Sequence, residues 1–214
     1  MNEDAISEPR AYDAVLFDLL SGLVDSWSLW DELAGNAELG RRWRMHYLEV
    51  TYGTTEYSPY LSLVAQSAEA SGLPASTAIE LRKRWDQLEP WPEAPKVVSQ
   101  LASLTRVGVV TNCSEELGQH AASRVSERFE VTVTAERSGF YKPDPRAYGK
   151  AIADLGVAAE RILYVAGSPF DVRGASAVGM PVYWHNRIGL MDEEARSLAV
   201  DTGVNLLDLK ERVS

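Results

Sequence analysis

Residues that could do chemistry stand just past several short apolar runs. Asp18 follows Ala14-Val15-Leu16-Phe17, Thr111-Asn112 follows the run 107–110, and Ser168 with Asp171 follows the run 162–165. Lys142 belongs with them, in a loop that also holds Gly139 and two prolines. Brought together, they offer a carboxylate, a hydroxyl, an amide, an ammonium and a second carboxylate. A cation within about 4–6 Å keeps a carboxylate charged, the state in which it can bind or attack a small polar ligand. Each residue alone has a plainer reading. An acid after a strand can cap the next helix, Thr-Asn can turn the chain at a strand end, and a loop lysine can sit in solvent. Four such positions in one sheet carry more weight than any one of them.

The elements that must position these residues are legible as patterns. Continuous apolar runs read as buried parallel strands. A fourth run, 181–184, leads into His185-Asn186-Arg187, and 131–134 is a weaker strand. Helical patterns lie between them at 94–104, 115–126, 145–155 and 171–178. Asp144-Pro145 is a helix start, with an acid at the cap and proline at the first position. Strand and helix in alternation predict an α/β fold with a parallel sheet. Ligands bind outside the carboxyl ends of such strands, where the residues above would gather. The stretch 25–90 differs: it is rich in helix formers and reads as helices at 26–34, 37–51, 60–70 and 76–88. Glu89-Pro90-Trp91-Pro92 then breaks the pattern as a hinge or linker. A helical segment is therefore inserted directly after the first strand.

Composition narrows the function classes. The 214 residues carry 21 Lys+Arg and 31 Asp+Glu, a formal net charge of −10, with 45% hydrophobic and 24% charged residues. That is a globular mix, and its acidity argues against nucleic-acid or anionic-membrane partners. A small anionic substrate remains compatible, because a pocket can be locally positive. A single cysteine, Cys113, cannot form an internal disulfide and reads as a buried inert thiol. His46, His120 and His185 lack metal-ligand spacing and read as structural or surface residues. Residues 1–10 hold three acids and no apolar run, so they do not read as a signal peptide. No stretch approaches the roughly 20 apolar residues of a membrane span, and a cytoplasmic setting is expected.

At this point the residues carry a resemblance. Phe17-Asp18-Leu19-Leu20-Ser21-Gly22-Leu23 resembles the first motif of the haloacid dehalogenase superfamily, and Val109-Val110-Thr111-Asn112 its second. Tyr141-Lys142-Pro143-Asp144-Pro145 resembles the third, and Ala166-Gly167-Ser168-Pro169-Phe170-Asp171 a modified fourth. The resemblance implies a Rossmann-like core from 1–24 and 91–214, with 25–90 as a helical cap. Within the superfamily the chain is most similar to the L-2-haloacid dehalogenases, which carry an apolar or aromatic residue where Leu20 stands. The phosphatases place a second acid there, and another at Gly167 to hold magnesium. Trp43-Arg44, the six-residue interval from Lys142 to Tyr148, and Trp184-His185-Asn186-Arg187 also resemble the dehalogenases.

The resemblance implies roles. Asp18 is the nucleophile that forms an ester, Lys142 keeps it ionised, and Asp171 positions or activates the hydrolytic water. Arg44 and Asn112 receive the halide, Thr111 helps hold the substrate carboxylate, and Leu20, Met45 and Phe170 form an apolar wall. Tyr148 and Ser168 complete the substrate site. No metal is required and a homodimer is expected; the six tryptophans read as cap core and cap–core interface, with an apolar dimer surface on Trp27, Trp30 and Trp43 as the alternative. The chain also departs from the pattern. Gly22 stands where the dehalogenases have threonine, and Ala166 and Ser168 where they have serine and asparagine. Each lost partner is expected to weaken the site by about 1–3 kcal/mol where the group it served stays buried. A magnesium-dependent phosphatase with relaxed motifs, or a non-catalytic binding protein of the same fold, are the rival readings.

Overall fold

A computed structural model of the protein describes residues 11–213. The segment 1–10, on which the signal-peptide reading was made, lies outside the described residues. The chain begins with β1 (Ala14–Asp18) and β2 (Val24–Asp25), then four helices, α1 (Ser26–Ala34), α2 (Ala37–Gly53), α3 (Tyr60–Ala70) and α4 (Thr77–Lys83). Next come β3 (Glu89–Pro90), α5 (Ala94–Leu101), β4 (Arg106–Thr111), α6 (Glu115–Val125), β5 (Val131–Thr134) and the short α7 (Ala135–Ser138). The last part holds α8 (Pro145–Leu155), β6 (Ile162–Ala166), α9 (Pro169–Ala177), β7 (Val182–His185), α10 (Glu193–Leu198), β8 (Asp201–Gly203) and α11 (Leu209–Val213).

Six strands form a parallel sheet in the order β5-β4-β1-β6-β7-β8. β1 lies between β4 and β6, so the loops after all three strands open at the same end. Every residue of β1 is buried. Val15 and Phe17 pack with Val97 of α5 and Leu117 of α6, while Ala14 and Leu16 pack with Tyr148 of α8 and Val172 of α9. Burial on both faces is why this strand reads as an unbroken apolar run. The fold is therefore α/β with a Rossmann-like parallel sheet, as the alternation predicts.

Local chemistry sets the helix starts that matter for function. The Asp144 side chain accepts from the Arg146 N–H and Pro145 takes the first helical position of α8. Ser168 does the same for α9, accepting from the Asp171 N–H ahead of Pro169. Asn36 caps α2 through Leu39 N–H.

The helices α1 to α4 leave the chain after β2 and rejoin it at β3. Trp30 and Trp43 are fully buried with ring centroids 4.2 Å apart, and Tyr47, Tyr60 and Trp85 extend the aromatic stack. Trp27 is also buried. The three tryptophans thus lie inside one chain, as core residues and not as a dimer surface, because they occupy the inward faces of α1 and α2.

The structure differs from the expected elements in several places, and β2, α7, α10 and α11 are additions to them. The segment read as a hinge or linker contains β3, which pairs antiparallel with β2 through Val24↔Pro90 and Asp25↔Glu89. Two residues are too short for a periodic signal, and proline is tolerated in an edge pair. The helix expected over 76–88 ends at Lys83, and a 3-10 turn (Trp85–Gln87) follows. β8 has no apolar run and was invisible as a strand; it pairs only with β7, at the sheet edge. Among the described residues no helix is long and apolar enough to cross a membrane.

Candidate active site

Asp18 ends β1, opposite Val110 of β4, and the chain turns sharply after it. Leu23 and Val24 N–H both donate to Leu19 C=O. This turn brings Ser21 and Gly22 back over the carboxylate. Asp18 Oδ2 accepts from Ser21 Oγ at 2.8 Å, Ser21 N at 3.2 Å and Gly22 N at 3.0 Å. Gly22 has no room for a side chain, since a Cβ there would collide with the Asp18 main-chain carbonyl. From behind, Trp91 Nε1 donates to Ser21 C=O at 3.1 Å and His185 Nδ1 lies 2.9 Å from Gly22 C=O. Burial holds the His185 pKa below its ordinary value, so the neutral ring donates to that carbonyl. The hydroxyl expected to be missing at Gly22 is supplied one residue earlier, by Ser21.

The other Asp18 oxygen, Oδ1, accepts from Lys142 Nζ at 2.9 Å. The same ammonium donates to Asp171 Oδ2 at 2.7 Å and to the Tyr164 hydroxyl at 3.0 Å. Lys142 is held by Asn112, whose Oδ1 accepts from Lys142 N–H at 2.7 Å and whose Nδ2 donates to Lys142 C=O at 3.0 Å. Asn112 therefore clamps the lysine loop, with one amide hydrogen left over. Asp171, in the first turn of α9, also accepts from Tyr148 at 2.6 Å and Tyr164 at 2.9 Å.

Burial pushes both carboxyls up, and the balance of partners then separates them. For Asp18 the nearby Lys142 charge, with the Lys142 and Ser21 hydrogen bonds and a smaller contribution from Arg44, outweighs burial and holds the pKa below its ordinary value. For Asp171 burial wins over Lys142 and Tyr148, helped by the Asp18 charge, and the pKa stands above its ordinary value. Lys142 loses from burial but gains more from Asp171 and Asp18, so its pKa is raised. Two carboxylates pushed in opposite directions are the pattern of a nucleophile and a base.

These groups line one cavity of about 30 Å³, together with Leu20, Arg44, Thr111, Ser168 and Phe170. That is room for about two water molecules. α2 supplies the opposite wall from one face: Arg44, Tyr47, Leu48, Thr51 and Tyr52 follow helical spacing. Arg44 is 3% exposed and its guanidinium lies over the rings of Trp27, Trp30 and Tyr47. Its Nε and Nη1 are buried with no hydrogen-bond partner among the described residues. Tyr47 fixes this wall to the sheet by donating to Asn112 C=O at 2.7 Å. Tyr52 meets Phe170 across the rim, ring centroids 5.2 Å apart.

Ten of the eleven residues singled out from sequence converge here, nine on the cavity and Tyr148 just behind it, bonded to Asp171. Met45 is the correction. One position beyond Arg44, it is turned about 100° around α2 and, half-buried, packs against the hydrophobic core instead of lining the cavity. Ser21, Tyr47, Leu48, Thr51, Tyr52 and Tyr164 were missed. Helical spacing from Arg44 could have found the four on α2. Tyr164 lay hidden in an apolar strand, and Ser21 in a turn. Cys113 is buried, its thiol pushed up to about 12 by burial, and is inert as expected.

The donor set does not fit a magnesium ion. A Cβ at Gly167 would lie 2.7 Å from Asp18 Oδ2 and 2.6 Å from both Gly22 N and Ser21 Oγ, so no acidic side chain can enter from that position. Both Asp18 oxygens already accept hydrogen bonds, and Lys142 fills the space between the two carboxylates.

Comparison with known proteins agrees with this geometry. Over 202 residues the chain is 27% identical to haloacetate dehalogenase H-2 of Moraxella sp. (strain B), covering 86% of this chain and 90% of that protein. It is 27% identical over 199 residues to (S)-2-haloacid dehalogenase H-109 of Pseudomonas putida, covering 85% and 89%. The crystal structure of the L-2-haloacid dehalogenase RSc1362 superposes with a TM-score of 0.83 at 25% identity, over 95% of this chain and 99% of that one. The family model described as haloacid dehalogenase-like hydrolase matches residues 12–179. With that match over most of its length, the chain belongs to the haloacid dehalogenase-like hydrolase family.

Proposed function

We propose that this protein hydrolyses the carbon–halogen bond of a short 2-haloacid through an ester on Asp18, without a metal ion. One observation carries the reading. A charged carboxylate held by Lys142 shares a small buried cavity with the Arg44 guanidinium, two of whose donors have no partner. Buried donors left without an acceptor among the described residues are costly, and a departing halide would satisfy them. The names of the similar proteins support the same substrate class.

The chemistry follows from the two Asp18 oxygens. Oδ1, bonded only to Lys142, attacks C2 of the substrate. The carbon–halogen bond breaks, its electron pair leaving with the halide toward Arg44 and the free Asn112 amide hydrogen. The Thr111 hydroxyl and neighbouring main-chain N–H groups hold the substrate carboxylate. Leu20, Leu48 and Phe170 exclude water, which strengthens these charges. A water then attacks Asp18 Cγ and gives a proton to Asp171. Negative charge grows on Oδ2, where Ser21 N, Gly22 N and Ser21 Oγ already point, the geometry of an oxyanion hole. Collapse breaks the Cγ–Oδ1 bond, and the 2-hydroxyacid takes the proton back from Asp171. Residues 25–90 serve as the cap, and the described parts of 1–24 and 91–214 as the core that carries the nucleophile.

The test is halide release from bromoacetate and 2-chloropropionate with a chelator present. Halide and hydroxyacid are expected in equal amounts, unaffected by the chelator. Folded protein that releases no halide, or that hydrolyses an aryl phosphate only without chelator, overturns the reading.

A further inference from the structure

Tyr164 belongs to none of the motifs, yet its hydroxyl sits at the centre of the charge cluster. It lies in the middle of β6, on the same face as Ile162 and Ala166. Alternation along a strand places residues 164 and 166 on one side, so a long side chain at 164 reaches past the small Ala166. The Tyr164 hydroxyl accepts from Lys142 Nζ at 3.0 Å and donates to Asp171 Oδ2 at 2.9 Å. An ammonium has three hydrogens, and Asp18, Asp171 and Tyr164 take all three. A phenol has one, and it goes to Asp171. With Asp171 ionised, these distances match one set of donors: three from Lys142 and one from the phenol.

We propose that Tyr164 is a positioning residue for the second half of the reaction: it occupies the third hydrogen of Lys142 and holds Asp171 as an oriented anion, replacing the side-chain partner that Ala166 cannot supply. This rests on the hydrolytic reading of the site. The groups facing Asp171 are Asp18 at the end of β1, Lys142 in the loop before α8, Tyr148 on α8 and Tyr164 on β6, with Arg44 of α2 lining the same cavity. Asp18 opposes ionisation of Asp171, and Lys142 with the two phenols favours it. Without the Tyr164 hydroxyl the carboxylate loses one of three donors in a buried place, so its protonated form gains. The ester on Asp18 would then form nearly as before and hydrolyse slowly.

The test uses Tyr164→Phe, with Tyr164→Met as a second variant that fills the space without a hydroxyl. Carbon-13 shifts of aspartate-labelled protein, with Asp171 assigned from Asp171→Asn, follow the carboxyl directly and need no substrate. The Asp171 midpoint is expected to rise by about one pH unit, the size of a hydrogen bond to a charged group. With a 2-bromoacid, the first halide per protein is expected at a rate near wild type, the steady rate is expected to fall about tenfold, and intact mass should reveal the ester. An unchanged Asp171 midpoint in both variants overturns the proposal. A raised midpoint with no halide from the wild-type protein upholds the positioning and overturns the dehalogenation reading instead. A merely structural role would lower both half-reactions together and leave no ester.

Discussion

The hydroxyl of Ser21 donates to Oδ2 of Asp18 at 2.8 Å from one residue before the glycine that turns the chain. The main-chain N–H of Gly22 reaches the same oxygen at 3.0 Å. The pair Ser21-Gly22 therefore does together what a single hydroxyl residue at position 22 could not do in this backbone, where a Cβ has no space. Three donors on one carboxylate oxygen bias it to carry charge, and leave the other oxygen to attack.

Ser21→Ala removes one of these three donors and leaves two. The rate of ester hydrolysis is expected to fall about ten- to a hundredfold, less than for a lone oxyanion donor. Single-turnover kinetics separate this from ester formation, which should change little.

Gly167→Ala places a methyl group 2.7 Å from Asp18 Oδ2 and 2.6 Å from Gly22 N. Backbone is among the atoms met, so relief requires a shift of the nucleophile turn. A loss of about 1–3 kcal/mol in stability, read by denaturant titration, is expected together with near-complete loss of halide release. Gly167→Asp is expected to create no magnesium-dependent phosphatase activity, because the side chain has nowhere to go.

Arg44→Met keeps the length and bulk of the side chain but removes the charge. kcat/KM for a haloacid is expected to fall at least a hundredfold, about 2.7 kcal/mol. A second readout needs no turnover. The guanidinium stacks on Trp27 and Trp30, so iodide bound there should quench their fluorescence in the wild-type protein and not in the variant.

The pH dependence has a definite sign at each group. Asp18 is held below its ordinary 3.8, so ester formation should persist at and below that pH. Asp171 stands above 3.8, chiefly through burial with help from the Asp18 charge; the ester removes that charge but leaves the burial, so hydrolysis should still fail first as the pH drops, and ester should accumulate in the interval between. Lys142 is raised above 10.5, so its ion pairs persist beyond that pH on the alkaline side. For stability, the depressed Asp18 contributes above 3.8, and that contribution is lost as the pH falls through its folded value. The raised Lys142 contributes below 10.5, and its contribution is lost as the pH rises through its folded value. Rapid acid quench at a series of pH values, followed by intact mass, checks the order of the two half-reactions.

Much of this was legible in the residues. β1, β4 and β6 announce themselves because burial on both faces demands unbroken apolar runs, and the polar residue that ends each run marks the active end of the sheet. Asp144 was legible as a helix start because capping has a local grammar; Ser168-Pro169 follows the same grammar two residues ahead of the expected start at 171. Met45 was misplaced because adjacency in sequence is not adjacency on a helix; Leu48, four residues from Arg44, holds the place assigned to it. Tyr164 was hidden because a tyrosine in a strand looks like core until its hydroxyl is seen to reach a charge. Gly22 and Ala166 read as losses, and only three dimensions reveal that Ser21 bonds to Asp18 and Tyr164 to Asp171. β3 and β8 were too short to carry any period.

The central claim is that Asp18 bonds to carbon and is then released by attack of water on its own carboxyl carbon. A single turnover in oxygen-18 water, with protein in excess over 2-bromoacid, tests this directly by mass spectrometry of the peptide that carries Asp18 and of the product. Label in Asp18 and an unlabelled 2-hydroxyacid is the predicted result; label in the hydroxyl of the product with none in Asp18 would mean that water attacks the substrate carbon itself, and would contradict the account.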